Sequence, residues 1–469
     1  MKRTLADFAR ACGGRLEGAD RPWSAVSTDS RTIRPGELFV ALTGPRFDGG
    51  EFLPAAHAAG AAGAVVRAVQ ALPIPQIVVS DSLAALSAAA TAWRAQFRIP
   101  VIGVGGSNGK TTVKEMTAAI LSQNAPCLAT RGNLNNHIGV PLTLLRLESE
   151  HRAAVIEMGA NRAGEVAALA ALAAPDIGLI TNAGAEHLEG FGSIEGAARA
   201  EGEMVAALAP EGTAIINADD PFCALWLSLT RARVVRFGLA PGADFTASGR
   251  TTEIVDGSFR TRFTLECPAG RTPVELNLAG AHNVTNALAA AAAASSAGAT
   301  LEHIRAGLAL MRPVPGRLQL KRAARGAWLI DDSYNANPSS VHAAIEVLAS
   351  LEAPRWLVLG DMAELGEHAR ASHIEVGALA RARGIARLYA TGPLSALTVE
   401  SFGKGGRWFP DAEALTRTLG EELAPEAHVL VKGSRVNRLE RVVGALVGPG
   451  GPGTPGGAGA AGPSAAGRH

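Results

Sequence analysis

A glycine-rich run between a strand and a helix constrains the fold of this chain more than any other feature. Residues 105–112 read Gly-Gly-Ser-Asn-Gly-Lys-Thr-Thr. The apolar segment 99–104 before them predicts a buried strand, and segment 113–121 after them predicts a helix. Glycines let backbone N–H groups turn toward an anion, and the positive N-terminal end of a helix adds to the attraction. The run therefore predicts a strand–loop–helix unit that binds phosphate groups.

Two side chains at the end of the run indicate nucleoside triphosphate chemistry. Lys110 supplies a point charge for the outer phosphates, and the Thr111 hydroxyl is placed to hold Mg²⁺. The usual G-x-x-x-x-G-K-[ST] motif needs a glycine where this chain has Val104, so the form here is G-x-x-G-K-T-T. A tight turn with an incidental lysine is the alternative, but the order of strand, glycines, Lys-Thr and helix favours binding of a nucleoside triphosphate. The predicted loop contacts are Gly106, Ser107, Asn108, Gly109, Lys110, Thr111 and Thr112.

Length and composition leave room for an enzyme of several domains. The 469 residues suggest about three domains at roughly 150 residues each, and 47% apolar residues can fill their cores. A formal net charge of +1 argues against a general polyanion binder, so we expect no nucleic acid partner. The four cysteines are far apart and form no C-x-x-C pair, which fits a reducing compartment and excludes a structural zinc site.

No segment has the character of a membrane span. The chain lacks 18 consecutive apolar residues without charges, and Lys2 and Arg3 are followed by polar residues rather than an apolar signal core. The alanine-rich stretch 286–297 is about three helical turns long, too short to cross a bilayer, and predicts a closely packed buried helix. We therefore expect a cytoplasmic chain without membrane insertion.

The pattern of apolar runs predicts three α/β domains and a tail. Residues 1–98 form a small α/β domain, residues 99–311 a central domain with a mostly parallel sheet, and residues 312–447 a Rossmann-like domain. A Pro-Val-Pro-Gly-Arg hinge at 313–317 separates the last two. Residues 448–469 are almost wholly glycine, proline, alanine and serine, which predicts a disordered tail. The main predicted strands are 38–42, 64–66, 76–79, 101–104, 153–156, 177–181, 214–217, 328–330, 356–359, 387–390 and 429–431.

Polar side chains follow two further strands of the central domain. Ligand groups gather at the carboxyl ends of parallel strands. Glu157 follows strand 153–156, where a carboxylate would hold a magnesium ion that bridges nucleotide phosphates. His187 follows strand 177–181, but a lone histidine is more often structural than a ligand. Four nearby glutamates are further candidate ligands, but each is individually more often a solvated charge on a helix, and composition does not show which of them is a ligand. They are Glu186, Glu189, Glu201 and Glu203.

The order of motifs along the chain resembles that of the Mur ligase family of peptidoglycan synthesis. Besides the phosphate loop, the matching motifs are Asn-Leu-Asn-Asn-His-Ile-Gly-Val-Pro at 133–141, Glu-Met-Gly-Ala-Asn at 157–161, His-Leu-Glu-Gly-Phe-Gly-Ser at 187–193 and His-Asn-Val-Thr-Asn-Ala at 282–287. Blocks 331–338, 360–366 and 431–435 resemble the branch of the family that adds D-alanyl-D-alanine. The resemblance covers all three predicted domains and omits only the tail.

The resemblance implies an ATP-dependent amide ligase. ATP would convert the terminal carboxylate of UDP-N-acetylmuramoyl-tripeptide to an acyl phosphate, and the amine of D-alanyl-D-alanine would displace phosphate to give the pentapeptide. Two Mg²⁺ ions are implied as cofactors, and we expect a monomer. The first domain would bind the UDP-muramoyl peptide, the central domain ATP and the last domain the dipeptide.

The resemblance also assigns roles to individual positions. Contacts to the UDP end are Ser30, Arg31, Gly44 and Asp48. Catalytic roles fall to Lys110, Glu157, His187 and Arg317, with Asn283, Arg317 and Asp332 as further nucleotide contacts. Candidate metal ligands are Thr111, Glu157, His187 and Glu201. The dipeptide side is assigned to Tyr334, Asn335, Lys432 and Ser434.

Two positions depart from the family pattern. Fourteen residues after the metal-binding histidine the family usually has a lysine that is carbamylated by CO₂, and this chain has Glu201. We hypothesise that the Glu201 carboxylate substitutes for the carbamate beside the second magnesium ion. The second departure is Gly50, where the family commonly has histidine, and it weakens the assignment of individual UDP contacts.

Three other classes of protein fit parts of the pattern. A nucleotide-dependent switch or motor shares the loop, but the chain has no Asn-Lys-x-Asp guanine box. Related amide ligases, namely a diamino-acid-adding Mur enzyme or folylpolyglutamate synthase, share the loop, but the block at 332–338 argues against them. A non-enzymatic ATP-binding module would have no use for metal-type residues at three strand ends.

Overall fold

The computed structural model describes residues 3–44 and 47–447. The chain divides into two compact units. The first comprises residues up to Thr252, Thr261–Asn277 and Ala281–Met311, and the second Glu253–Arg260, Leu278–Gly280 and the chain from Arg312 onward. The predicted tail at 448–469 lies outside the described residues.

The first unit begins with a small mixed sheet. Helix α1 starts after Thr4, whose side chain accepts a hydrogen bond from the Asp7 N–H, and ends before Gly13, which has a left-handed backbone. The sheet order is β1-β7-β6-β3-β2, parallel except for the antiparallel pair β1–β7. The elements are α1 (Leu5–Cys12), β1 (Arg15–Glu17), β2 (Val26–Ser27), β3 (Leu38–Val40), β4 (Thr43–Gly44), β5 (Phe47–Asp48), α2 (Leu53–Ala58), β6 (Gly63–Val66), β7 (Gln76–Val78) and α3 (Ser82–Arg94).

A six-stranded parallel sheet forms the centre of the first unit. Its elements are β8 (Val101–Gly105), α4 (Lys110–Leu121), β9 (Cys127–Ala129), α5 (Gly139–Leu144), β10 (Ala153–Glu157), α6 (Glu165–Ala173), β11 (Ile177–Ile180), α7 (Leu188–Phe191), α8 (Ile194–Ala206), β12 (Thr213–Asn217), α9 (Cys223–Leu229) and β13 (Arg233–Phe237). The strand order is β13-β12-β11-β8-β10-β9, and every pair is parallel. Because β8 lies between β10 and β11, the segments that follow these three strands meet at one edge, where α/β sheets bind ligands.

An antiparallel sheet follows, which the sequence did not predict. It consists of β14 (Thr246–Val255), β15 (Ser258–Cys267) and β16 (Gly270–Leu276), in that order. Its strands are rich in Thr, Arg and Glu, and β15 alternates buried and less buried positions, as expected of a sheet with one wet face. Helices α10 (Ala281–Ser296) and α11 (Leu301–Ala309) complete the unit.

Helix α10 contains the alanine-rich stretch, and it is buried as predicted. All of residues 287–294 are inaccessible to solvent, so small side chains let the helix pack closely on every side. Within the described part of the chain, no helix combines the length and the apolar character that crossing a bilayer requires.

One hydrophobic core joins the two principal sheets of the first unit. It runs from Leu5, Phe8 and Trp23 through Trp93 to Val101 and the central sheet. Arg3 lies at this junction, with its guanidinium carbon 5.4 Å from the Trp23 ring centre and 5.2 Å from that of Trp93. The Arg3 guanidinium also donates to the carbonyl oxygens of residues 145 and 147, which follow α5. A cation held by two indoles and two carbonyls therefore fixes the N-terminal sheet to the central one.

The second unit contains a six-stranded sheet of order β17-β18-β22-β19-β20-β21, parallel except for β17. Helices that follow the parallel strands complete an α/β arrangement, as predicted. Its elements are β17 (Gln319–Arg322), β18 (Trp328–Asp332), α12 (Pro338–Ala349), β19 (Arg355–Gly360), α13 (Ala369–Ala382), β20 (Arg387–Thr391), α14 (Ser395–Phe402), β21 (Gly406–Phe409), α15 (Ala412–Glu422), β22 (His428–Lys432) and α16 (Glu440–Leu446).

The Arg3→Met substitution tests the junction. It removes both cation–π contacts and the ion pair with Glu148, and it leaves three carbonyls without their donor, so we expect a loss of about 1–3 kcal/mol of unfolding free energy. The measurement is urea unfolding followed by tryptophan fluorescence, to which Trp23 and Trp93 contribute two of the six tryptophans of the chain. Arg10→Met is the matched control, because Arg10 is 76% exposed and pairs with Asp7 on its own helix. An Arg3 variant as stable as the control would contradict the assignment.

Candidate active site

The glycine-rich loop leaves the carboxyl end of β8 and requires glycine at two positions. Gly106 has φ +115°, and a Cβ there would lie 2.1 Å from the Thr181 Oγ1 atom. Gly109 has φ +86°, and a Cβ there would lie 2.5 Å from the Asn286 Oδ1 atom. Both residues combine a backbone conformation that disfavours side chains with close contact to a neighbour. The loop is therefore packed from two sides, by the end of β11 and by α10.

Two residues that follow β11 hold the loop by hydrogen bonds. The Asn108 N–H donates to Asn182 Oδ1 at 3.0 Å, and Asn182 Nδ2 donates back to the Asn108 carbonyl at 2.9 Å. Thr181 Oγ1 donates to the same carbonyl at 2.7 Å, and the Ser107 N–H donates to the Asn182 carbonyl at 2.8 Å. Neither Thr181 nor Asn182 was predicted individually from the sequence. The available signal was their position at the end of the predicted strand 177–181.

Helix α4 begins at Lys110, so Lys110, Thr111 and Thr112 form its first turn beside the loop. The Lys110 ammonium donates to the Gly106 carbonyl at 2.5 Å and to the Ser107 carbonyl at 3.0 Å. Its Nζ also lies 3.6 Å from a carboxylate oxygen of Glu186. The lysine thus folds over the loop that it follows, where it is close to any bound phosphate.

Glu157, at the end of β10, has one carboxylate oxygen engaged and one unpartnered. Oε1 accepts hydrogen bonds from Asn135 Nδ2 at 2.9 Å and from the Thr111 hydroxyl at 3.3 Å. Oε2 is buried and has no hydrogen-bond partner among the described residues. An orphaned buried carboxylate oxygen beside a threonine hydroxyl fits a hard divalent cation that prefers oxygen ligands. Asn135 lies in the block at 133–141, but its contact with Glu157 was not predicted.

His187 lies in the segment after β11 and is partly exposed. Its backbone is left-handed, with φ +51°, and its Nε2 is 3.8 Å from a Glu186 oxygen. Within residues 3–44 and 47–447, no three His, Cys, Asp or Glu side chains form a group suited to a metal ion. The structure thus places His187 next to the Lys110–Glu186 pair, and its role as a ligand stays a prediction.

Glu201 is buried under the phosphate loop instead of being a solvated helix charge. It lies on α8, is 3% exposed, and its Oε2 accepts a hydrogen bond from the Gly106 N–H at 2.6 Å. Burial raises the pKa of Glu201 from 4.5 to about 7, although the Lys110 charge and the Gly106 hydrogen bond act in the opposite direction. The structure thus gives Glu201 a contact to the loop backbone. Its predicted role in place of a carbamylated lysine stays a prediction.

Asn283, predicted to contact adenine, lies on α10 one turn before Asn286. Its Oδ1 accepts a hydrogen bond from Asn286 Nδ2 at 3.2 Å, and its Nδ2 lies 3.2 Å from His282 Nε2. Since Asn286 packs against Gly109, this turn of α10 is adjacent to the end of the phosphate loop. The first unit therefore brings the loop, Glu157, His187, Glu201 and Asn283 to one region.

The remaining predicted residues of the nucleotide and dipeptide sides belong to the second unit. Asp332 is buried between the Leu318 N–H, 3.1 Å from Oδ1, and the Lys432 ammonium, 2.6 Å from Oδ2. Burial raises the pKa of Asp332, and the charge of Lys432 opposes that shift. The Arg317 guanidinium carbon lies 4.5 Å from the centre of the Tyr334 ring, within cation–π distance.

Lys432 and Ser434 hold the loop that carries Tyr334 and Asn335. The Lys432 ammonium donates to the Asn335 carbonyl at 2.9 Å, and the Ser434 hydroxyl donates to the Ala336 carbonyl at 3.1 Å. Both side chains are almost fully buried. These contacts anchor the backbone of the loop. Dipeptide contacts were predicted for Lys432 and Ser434, but this anchoring was not.

The four residues predicted at the UDP end follow neighbouring strands of the N-terminal sheet. Ser30 and Arg31 come after β2, while Gly44 and Asp48 lie in the β4–β5 ribbon after β3. The Arg31 guanidinium pairs with Asp29 at 2.7 Å, and Asp48 Oδ1 accepts a hydrogen bond from the Gly50 N–H at 2.9 Å. Arg31 and Asp48 are exposed and accessible to a ligand.

Gly106→Ala tests the loop geometry. The added Cβ would meet Thr181 at 2.1 Å in a backbone conformation that costs about 1–3 kcal/mol, so we expect ADP affinity to fall about tenfold or more. The measurement is calorimetric titration with ADP. Gly444→Ala serves as control, because a Cβ at that helical position meets nothing within 4 Å. Unchanged ADP affinity in the Gly106 variant would contradict the geometry.

Glu201→Gln tests the buried carboxylate through the pH dependence of stability. Glu201 has a pKa near 4.5 when unfolded and about 7 when folded, so the folded state binds more protons between these values. Stability of the wild type should therefore fall by up to about 3 kcal/mol as pH rises from 4.5 to 7. The glutamine variant should lose this slope, as measured by urea unfolding from pH 5 to 8.

Glu195→Gln is the control for the pH profile, since it removes a carboxylate from the exposed part of the same helix. It should keep the slope of the wild type. If the stability of the Glu201 variant and that of the wild type depended on pH in the same way, the Glu201 carboxylate would not have the raised pKa described above.

Three family profiles match consecutive parts of the chain. The Mur ligase family catalytic domain matches residues 23–104, the Mur ligase middle domain residues 104–294, and the Mur ligase glutamate ligase domain residues 316–435. The phosphate loop begins at the boundary of the first two matches.

Similar proteins include characterised ligases. The UDP-N-acetylmuramoyl-tripeptide–D-alanyl-D-alanine ligase of Escherichia coli strain K12 is 46% identical over 94% of this chain and 98% of its own length. A crystal structure of MurF from Acinetobacter baumannii has a TM-score of 0.87 and 33% identity, covering 95% of this chain and 99% of that one. MurF ligase from Thermotoga maritima in complex with ADP has a TM-score of 0.79 and 28% identity, covering 90% and 96%. The chain belongs to the Mur ligase family and has its three-domain α/β architecture.

Proposed function

We propose that this protein is the ATP-dependent ligase that joins D-alanyl-D-alanine to UDP-N-acetylmuramoyl-tripeptide in peptidoglycan synthesis. The observation that carries the chemistry is the phosphate loop, with Lys110 folded over it and the unpartnered Glu157 carboxylate oxygen beside it. The choice of substrates is supported by the 46% identity to a ligase of that name, and the use of ATP by the relative that binds ADP.

The reaction needs activation because a carboxylate at neutral pH is a poor electrophile. Transfer of the γ-phosphoryl group from ATP to the tripeptide carboxylate gives an acyl phosphate and ADP. The free amine of D-alanyl-D-alanine then attacks the acyl carbon, and inorganic phosphate leaves. Negative charge develops first on the phosphoryl group and then on the tetrahedral oxygen, so catalysis depends on positioning and charge stabilisation. No side chain has to act as a nucleophile.

Lys110 and the loop backbone supply the positive potential for these steps. The Lys110 ammonium contacts the loop carbonyls and lies 3.6 Å from Glu186, and it would exchange these partners for phosphate oxygens when the nucleotide binds. Thr111 and Glu157 would hold a magnesium ion, which neutralises phosphate charge when bound. Asn283, next to the loop, is suited to hydrogen bonding with the adenine.

The second magnesium ion and the contributions of the other domains are further parts of the proposal. His187 and Glu201 are the candidate ligands for the second ion. Arg317 and Asp332 would reach the nucleotide from the C-terminal domain through closure at the 313–317 hinge, and Tyr334 and Asn335 would bind the dipeptide. The exposed Arg31 and Asp48, with Ser30 and Gly44, would receive the UDP end. We further propose a cytoplasmic monomer, in keeping with four free cysteines.

Formation of ADP by the purified protein tests the function. With ATP, Mg²⁺ and UDP-muramoyl-tripeptide, we expect ADP to accumulate beyond one equivalent per enzyme only when D-alanyl-D-alanine is present, because the amine must consume the acyl phosphate before the next turnover. A coupled ADP assay and mass measurement of the pentapeptide check this. Continued ADP formation with single amino acids instead would indicate another amide ligase, and continued ADP formation without any acceptor would indicate a switch.

A further inference from the structure

Lys114 is a fully buried cation that the proposed chemistry does not use. It lies on α4 one turn after Lys110, and its side chain is 0% exposed. Its ammonium donates to the Thr130 carbonyl at 2.8 Å and to Glu115 Oε1 at 2.5 Å, while the Glu115 side chain is 43% exposed. Burial of a lysine costs free energy unless its charge is paired and hydrogen-bonded. The groups that the Lys114 ammonium contacts therefore indicate what this buried charge does.

Lys114 holds Thr130, and Thr130 holds Glu157. Thr130 directly follows β9, is 2% exposed, and its N–H donates to the Val155 carbonyl at 3.1 Å. The Thr130 Oγ1 accepts the hydrogen bond of the Glu157 N–H at 3.0 Å. The main chain of Glu157 is therefore linked to Lys114 through a single buried residue.

Helix α4 is thus connected to Glu157 twice, directly through Thr111 and indirectly through Lys114. Thr111 donates to the carboxylate itself at 3.3 Å, and three residues later Lys114 fixes the residue that receives the Glu157 N–H. The two side chains lie on one face of the helix, which starts at the phosphate loop. The orientation of Glu157 is in this way coupled to the helix that also carries Lys110.

We propose that Lys114 is a positioning residue for the divalent cation of the reaction, acting through Thr130 to keep the unpartnered Oε2 of Glu157 available as a ligand. The inference rests on the proposed function for the identity of the cation as Mg²⁺ with a nucleotide. Groups that orient a metal ligand, without touching the metal, typically change metal affinity or activity by 10–100-fold when they are removed.

Two variants test the two links of this path. Lys114→Met keeps the apolar stem and removes the ammonium, and Thr130→Val keeps the shape of threonine and its carbonyl but removes Oγ1. The direct readout is Mn²⁺ binding in the presence of ADP, followed by the electron paramagnetic resonance signal of free Mn²⁺. We expect each variant to weaken Mn²⁺ binding about tenfold or more. The double variant should be little weaker than either single one, because both break the same path.

Steady-state kinetics give a second readout. With saturating tripeptide and dipeptide, both variants should raise the apparent KM for Mg²⁺ and shift it by a similar factor, while the KM for D-alanyl-D-alanine stays within about twofold of the wild type. A lysine that only stabilises the fold would change the urea midpoint and leave these constants alone. Glu115→Gln is the control, because it keeps an acceptor for Lys114 and leaves the Thr130 contact intact.

The outcomes separate the two proposals. Mn²⁺ affinity within twofold of the wild type in Lys114→Met or in Thr130→Val, or effects that add in the double variant, overturns the positioning role. Thr130→Val retains the buried lysine, so it decides the matter even where Lys114→Met does not fold. Since the Mn²⁺–ADP measurement needs neither peptide substrate, a failure of the proposed ligase activity would appear in the ADP assay alone.

Discussion

The hydrogen bonds between the end of β11 and the phosphate loop are the constraint on which the rest of the active site depends. Asn182 bonds both the N–H and the carbonyl of Asn108, and Thr181 bonds the same carbonyl. The end of β11 is itself held by β12, because Asn217 Nδ2 donates to the Thr181 carbonyl at 2.8 Å. Hydrogen bonds thereby connect the segments that follow the neighbouring strands β8, β11 and β12. The loop sets the start of α4, and α4 places the side chains that reach Glu157.

Much of this fold could be predicted from the sequence because its signals are local. Short apolar runs predict the buried parallel strands, the two glycines that the loop needs are only three positions apart, and helix α1 has its cap residues at both ends. Lys110 and Thr111 could be predicted as phosphate and cation contacts because the motif fixes their positions relative to the glycines. The antiparallel strands β14–β16 gave no such signal, since their polar, alternating sequences are typical of exposed segments as well.

The contacts that sequence reasoning missed join residues far apart in the chain. Glu201 is 95 positions from Gly106, and nothing local distinguishes it from the exposed glutamates of the same helix. Lys114 would be taken for a surface lysine until β9 is placed beside α4. In the second unit, Lys432 and Ser434 lie in a recognisable motif, yet their side chains bond the backbone of another loop. A motif thus identifies positions that matter without saying whether they touch the ligand or hold a residue that does.

The continuous core of the first unit has a mechanical consequence. Because Arg3 and its two tryptophans join the N-terminal sheet to the central one, the separation between the carboxyl edges of these sheets is set by folding and not by ligand binding. A molecule anchored at one edge and reacting at the other must span that separation. Under the proposed function, in which the UDP end binds at the N-terminal sheet and the carboxylate reacts at the phosphate loop, this fixed separation would select acceptors by length: an acceptor one residue too short would not reach the loop, and a longer one would have to bend to fit.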